Sequence, residues 1–146
     1  MTMMQKMQAK KSKKGFTLVE LVIVIAILAI LAAIAIPVIT TTINSSKLST
    51  MESDRTTIDM LLKEAVNCSK ASITTTTWDG NDYTTATVGD VLTENGLATT
   101  LMDVRTIGGV DYVIQWDTTA ETTVIASGTG LTNYDTTTAI TTLATM

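Results

Sequence analysis

From Leu21 to Ile36 the chain reads LVIVIAILAILAAIAI, sixteen residues without a charged or polar side chain. Extended back to Phe16 and on to Ile39, the stretch passes the ~20 residues, at about 1.5 Å rise each, that a helix needs to cross bilayer hydrocarbon. The pattern therefore predicts a membrane-spanning helix. A secretory signal would have an apolar run of only ~7–15 residues followed by a small-residue cleavage site; here Pro37-Val38-Ile39-Thr40 follows.

From Ile43 to Lys70 the apolar positions thin out to helical spacing. Met51, Ile58, Leu61, Leu62, Ala65 and Val66 form a stripe, with Glu52, Asp54, Arg55, Asp59, Lys63 and Glu64 on other faces. One long helix from Phe16 to about Lys70 is expected, spanning in residues 16–39 and amphipathic in 40–70, its second part covering a domain core.

After Ala71 the pattern changes to that of a small sheet. Ile73 to Thr87 reads as a threonine-rich loop with a turn at Trp78-Asp79-Gly80-Asn81-Asp82 and a short strand at Tyr83 to Val88. GDVLTENG, Gly89 to Gly96, reads as a short helix started by Asp90 and stopped at Gly96. Val110, Tyr112, Ile114 and Trp116 alternate along a strand, the chain turns at Asp117 to Glu121, and Thr122 to Ser127 gives a second strand; Thr136 to Thr145 is expected as a third. The fold class is α+β: a long N-terminal helix on a small antiparallel sheet in residues 71–146.

Charge sharpens the membrane reading. Lys6, Lys10, Lys11, Lys13 and Lys14 precede Gly15, and all fourteen carboxylates follow it. A basic cluster on one side of the span places the N-terminus in the cytoplasm and the remainder outside. Without residues 1–15 the chain keeps five basic residues against fourteen acidic ones, a formal −9, which argues against a nucleic-acid partner.

The chemistry on offer is narrow. One cysteine, Cys68, excludes an intramolecular disulfide, and with no histidine a Cys/His zinc site, a Ser-His-Asp triad and a histidine base are excluded. Asp79, Asn81 and Asp82 lack the spacing of an EF-hand and read as a turn. Asn44-Ser45-Ser46 and Asn67-Cys68-Ser69 match a short glycosylation pattern that arises readily by chance. No catalytic residue, metal or cofactor is expected. Two residues stand out within the apolar stretch. Glu20 is an ionisable group at its edge, where burial is expensive, and Pro37 interrupts the helix by removing an amide donor.

Lys13-Lys14-Gly15-Phe16-Thr17-Leu18-Val19-Glu20, running directly into the apolar helix, resembles the N-terminal signature of type IV prepilins and the related pseudopilins. The resemblance covers Lys13 to about Pro37. It implies the pilin fold and a leader at residues 1–15, cut after Gly15 by a membrane-embedded aspartic prepilin peptidase that also N-methylates Phe16. It implies that Glu20 pairs with the Phe16 amine of a neighbouring subunit, and that the helix bends or melts just before Pro37 in the assembled fibre. A buried pair of this kind sets register rather than supplying net affinity. The C-terminal cysteine pair common in such proteins is missing.

The function so implied is that of a major pilin: an extracellular filament subunit supporting adhesion, twitching motility, aggregation or DNA uptake. It is not an enzyme, and it is assembled by a cytoplasmic ATPase and a membrane platform protein. The alternative within the family is a pseudopilin of type II secretion or competence. An alternative from another class, a membrane-anchored enzyme or sensor, lacks any constellation to carry it.

Overall fold

The computed structural model describes residues 15–71 and 85–145. Residues 1–14 of the leader, the turn around Trp78 and the candidate calcium residues lie outside them. The chain divides into two compact units, residues 1–40 and 41–146. The elements are α1 (Leu18–Lys70), α2 (Val88–Glu94), a 3-10 turn at Thr99–Met102, β1 (Arg105–Ile107), β2 (Val110–Asp117), β3 (Thr122–Gly128) and α3 (Ile140–Thr145). This is an α+β fold with a long N-terminal helix and a three-stranded antiparallel sheet in the order β1-β2-β3, consistent with the pilin fold.

Within residues 18–40, α1 is a helix with its side chains in the open. Leu21 is 62% exposed, Leu28 57% and Ile34 64%. In hydrocarbon, backbone polar groups must bond within the segment, so helix is the conformation this composition can take there. In the single chain α1 continues through Pro37 to Lys70; the bend before Pro37 that the resemblance implies belongs to the assembled fibre. Proline forfeits a single amide bond, and the turn beyond is stitched by the Thr40 hydroxyl, which donates to the Pro37 carbonyl at 2.9 Å.

In residues 41–146 the second part of α1 supplies the core. Met51, Ile58, Leu62, Ala65 and Val66 are buried, as their spacing predicts, and Leu61 packs against them half-exposed. They meet Val88, Val91 and Leu92 of α2, Met102 of the 3-10 turn, Ile114 and Trp116 of β2, and Ile140 and Leu143 of α3. Each fully buried aliphatic side chain contributes about 1.5–3 kcal/mol of transfer free energy. Cys68 is half-buried against this cluster, as a small hydrophobe.

A polar clamp fixes α1 to the sheet. Asp59 Oδ1 accepts hydrogen bonds from the Thr122 hydroxyl (2.7 Å) and the Thr123 amide (2.6 Å), while Lys63 Nζ lies 2.7 Å from Oδ2. Arg55 Nη1 donates to the Thr123 carbonyl at 3.0 Å, and the buried Thr123 hydroxyl lies 3.2 Å from the Arg55 carbonyl and 3.1 Å from Asp59 Oδ1. Burial alone would push the Asp59 carboxyl up; the Lys63 ammonium and the threonine donors outweigh it and bring it down to about 2.

Three expectations are corrected here. The tail is a helix: residues 136–139 bond alongside the start of α2, with Thr87 and Ala139 bridged and the Gly89 amide donating to the Thr136 carbonyl at 2.7 Å, after which α3 begins. Ile140 and Leu143, three residues apart, both reach the core, which is helical spacing. The third strand is instead β1, joined to β2 by Gly108-Gly109 at φ 63° and 84°. This two-residue hairpin needs left-handed backbone, and a Cβ on Gly108 would stand 3.0 Å from Asn44 Nδ2. Asn44, the first asparagine of the glycosylation patterns, is thus half-buried against a hairpin. Finally, α2 is started by Thr87 rather than Asp90: the Thr87 hydroxyl accepts from the Asp90 amide (3.2 Å) and Asp90 Oδ2 accepts from the Thr87 amide (2.8 Å). The described part of the strand expected at Tyr83 to Val88 is reduced to the Thr87 bridge.

Candidate processing and assembly site

Gly15, Phe16 and Thr17 precede the helix, which begins at Leu18. What stops it there is a capping box. The Thr17 hydroxyl accepts from the Glu20 amide at 3.2 Å, and Glu20 Oε2 accepts from the Thr17 amide at 3.0 Å and faces its hydroxyl at 3.2 Å. The Leu21 amide closes the first helical bond on the Thr17 carbonyl at 3.3 Å. Two amides that the helix itself leaves without acceptors are thereby satisfied.

Gly15, Phe16, Thr17 and Glu20 line a shallow depression of about 380 Å³. Phe16 is 90% exposed, so its ring is left uncovered by the described residues. No described residue lies within 4 Å of where a Cβ on Gly15 would stand. Packing among the described residues therefore does not require glycine at this position.

Three of the four residues expected from the sequence are thus brought together: Gly15, Phe16 and Glu20 occupy one short segment, and Pro37 lies well along α1. Glu20 carries an additional occupation that spacing alone had not assigned, since it caps its own helix. The signal was present as Thr17-x-x-Glu20 before an apolar run, the sequence form of a capping box, and the same form, Thr87-x-x-Asp90, marks α2. Both bonding partners of the first box lie after Gly15, so removal of residues 1–15 leaves it intact. Among the described residues no group of three or more cysteine or acidic side chains could hold a metal ion.

Residues 10–36 match the model of the prokaryotic N-terminal methylation motif. This is the prepilin signature of type IV pilins and pseudopilins, and it implies processing by a prepilin peptidase and handling by pilus-type assembly machinery. No curated protein and no solved structure matches the chain.

Proposed function

We propose that this chain is a major pilin: a precursor held in the cytoplasmic membrane by residues 16–39, cut between Gly15 and Phe16, N-methylated on Phe16, and polymerised into a surface filament. The observation that carries this reading is the methylation motif at residues 10–36 on a helix whose apolar side chains from Leu18 to Ile39 stay exposed. Such a surface is stable in lipid, or against other copies of itself, and costly in water.

The remaining site assignments follow from the same reading. The leader lysines hold the cut site at the cytoplasmic face, and their loss removes charges that would oppose packing in an apolar fibre core. Glu20 receives the Phe16 amine of a neighbour, exchanging capping bonds for a charge-assisted one. Helix–helix packing of Leu21 to Ile36 supplies the affinity, and Pro37 is where α1 yields if the fibre demands it. The subunit performs no catalytic step.

Shearing cells and determining the intact mass and N-terminal sequence of the released material tests the proposal. Abundant fibres containing a chain that starts at N-methylated Phe16 are expected. Full-length chain retaining its lysines in those fibres would contradict it, and fibres that form only on overexpression would point to a pseudopilin instead.

A further inference from the structure

The hairpin at Gly108-Gly109 fixes which backbone groups the sheet turns outward. In a two-residue hairpin the flanking residues, Ile107 and Val110, exchange both backbone bonds, and bonding direction alternates along the strands from there. Val110 and Tyr112 thus bond to β1, and Asp111, Val113 and Gln115 to β3. The register carries the alternation across: Ala126, opposite Val113, bonds to β2, whereas Thr123, Ile125 and Ser127 turn N–H and C=O to the free edge of β3. Thr123 agrees, since its amide and carbonyl are the groups that reach Asp59 and Arg55 of α1.

Beyond Thr123 the outward groups of Ile125 and Ser127 have no backbone partner among the described residues. Sheets blunt a free edge with proline, charge, a bulge or a cover. The strand β3 has none of the first three: it reads TTVIASG and pairs without interruption from Thr122 to Gly128, and α1 closes only its start. The other edge offers less, because the three residues of β1 turn only Thr106 outward. Charge separates β3 from its surroundings. Residues 41–146 hold thirteen acidic against five basic side chains, a formal −8, yet Thr122 to Tyr134 holds no charged residue.

We propose that the free edge of β3 pairs with the same edge of a second copy in another fibre, antiparallel and centred on Ala126, and so bundles fibres side by side. This rests on the filament reading above. With Thr123 engaged by α1, only a register with Ala126 opposite Ala126 uses both open residues: Ile125 faces Ser127 of the other copy, Ser127 faces its Ile125, and each pair exchanges two bonds. An uncharged edge lets two acidic domains meet without a charged residue in the paired strands. Two such pairs are too few to hold lone subunits together. In fibres the copies repeat, and each contact made raises the effective concentration of the next.

Hydrogen exchange resolved to single amides, on detergent-solubilised full chain and on sheared fibres, tests the edge. In the solubilised chain the Ile125 and Ser127 amides exchange readily while those of Val124 and Ala126, bonded to β2, are protected; in bundled fibres the first two slow about tenfold. Slow exchange in the solubilised chain, or unchanged exchange on bundling, overturns the pairing. Protection already complete in dispersed single fibres also overturns it, because the occupant is then not a second fibre. Ser127→Pro removes an outward donor without touching a bond to β2. Fibre yield therefore holds while the fraction sedimenting at low speed falls about tenfold, the repeated contact being lost; Ser127→Ala, which keeps the amide, bundles as wild type. Should Ser127→Pro itself reduce yield, Ser127→Glu, at an exposed position, puts like charges at the paired edge and gives the same loss of bundling. Bundling by either variant at the wild-type level, or wild-type fibres that stay dispersed, overturns the pairing and leaves the filament reading standing. Wild-type fibres that lack the chain overturn the filament reading itself.

Discussion

The two parts of α1 are built from similar aliphatic residues and meet opposite fates. Between residues 18 and 40 leucines and isoleucines are about half or more exposed, whereas Met51, Ile58 and Leu62 are sealed at 0%. Helix propensity does not separate them, because both parts are helix. The source of the apolar partner does. A stripe of one residue in three or four can be covered by a sheet and two short helices from the same chain. A helix apolar on every face cannot, and needs lipid or many other helices as its solvent.

The sharpest way to break the comparison is to remove the same side chain from each part. Leu62→Ala should cost about 2–5 kcal/mol, the range for emptying a fully packed leucine site, read as a lowered denaturation midpoint of the full chain in detergent micelles by Trp116 fluorescence. Leu28→Ala, 57% exposed, should leave that midpoint within about 0.5 kcal/mol. A comparable loss for Leu28→Ala would mean that the first part of α1 is supported from within the chain after all.

The sequence made this contrast legible because it is written in periodicity. The uninterrupted run from Leu21 and the stripe from Met51 to Val66 are long patterns, and both helical parts appear where they predict. Short elements were less so. Residues 136–145 were expected as a strand because threonine favours sheets, while the two residues that decide the matter, Ile140 and Leu143, form too brief a pattern to establish a period. Similarly, β1 is three residues long and becomes visible only through its pairing with β2. At the candidate site, Gly15, Phe16 and Glu20 were readable as a motif. The capping role of Thr17 was readable too, since it depends on a four-residue spacing, but the clamp of Asp59 to Thr122 and Thr123 joins positions more than sixty residues apart and has no local signature.

That clamp supplies the next prediction, of somewhat smaller size, and it belongs to residues 41–146 alone. The Asp59 carboxyl sits at about 2 in the folded chain against an ordinary 3.8. A folded value below the unfolded one means stability present above pH ~4 and lost as pH falls toward 2, of order 2 kcal/mol when complete. Asp59→Asn should flatten the melting midpoint between pH 5 and pH 2.5 relative to wild type, after allowance for other carboxylates, and should lower it at pH 7. A slope between those pH values identical to that of wild type would show that Asp59 does not gain from its threonine donors.

The smallest effects come from the two capping boxes, which place the same chemistry in the two contrasted parts. The Thr87 amide and hydroxyl hold the Asp90 carboxyl below the usual carboxylate range, and Thr87→Ala should cost about 1 kcal/mol in the midpoint, a typical N-cap loss. Thr17→Ala breaks an equivalent box and should leave that midpoint unchanged, because the start of α1 contributes no side chain to the buried cluster. Its consequence should appear in assembly, where it separates two roles of one carboxylate. If Glu20 acts only as a cap, Thr17→Ala and Glu20→Ala reduce sheared fibre equally. If Glu20 receives a neighbour's amine, Glu20→Ala nearly abolishes fibre while Thr17→Ala, which frees the carboxylate for its partner, retains most of it.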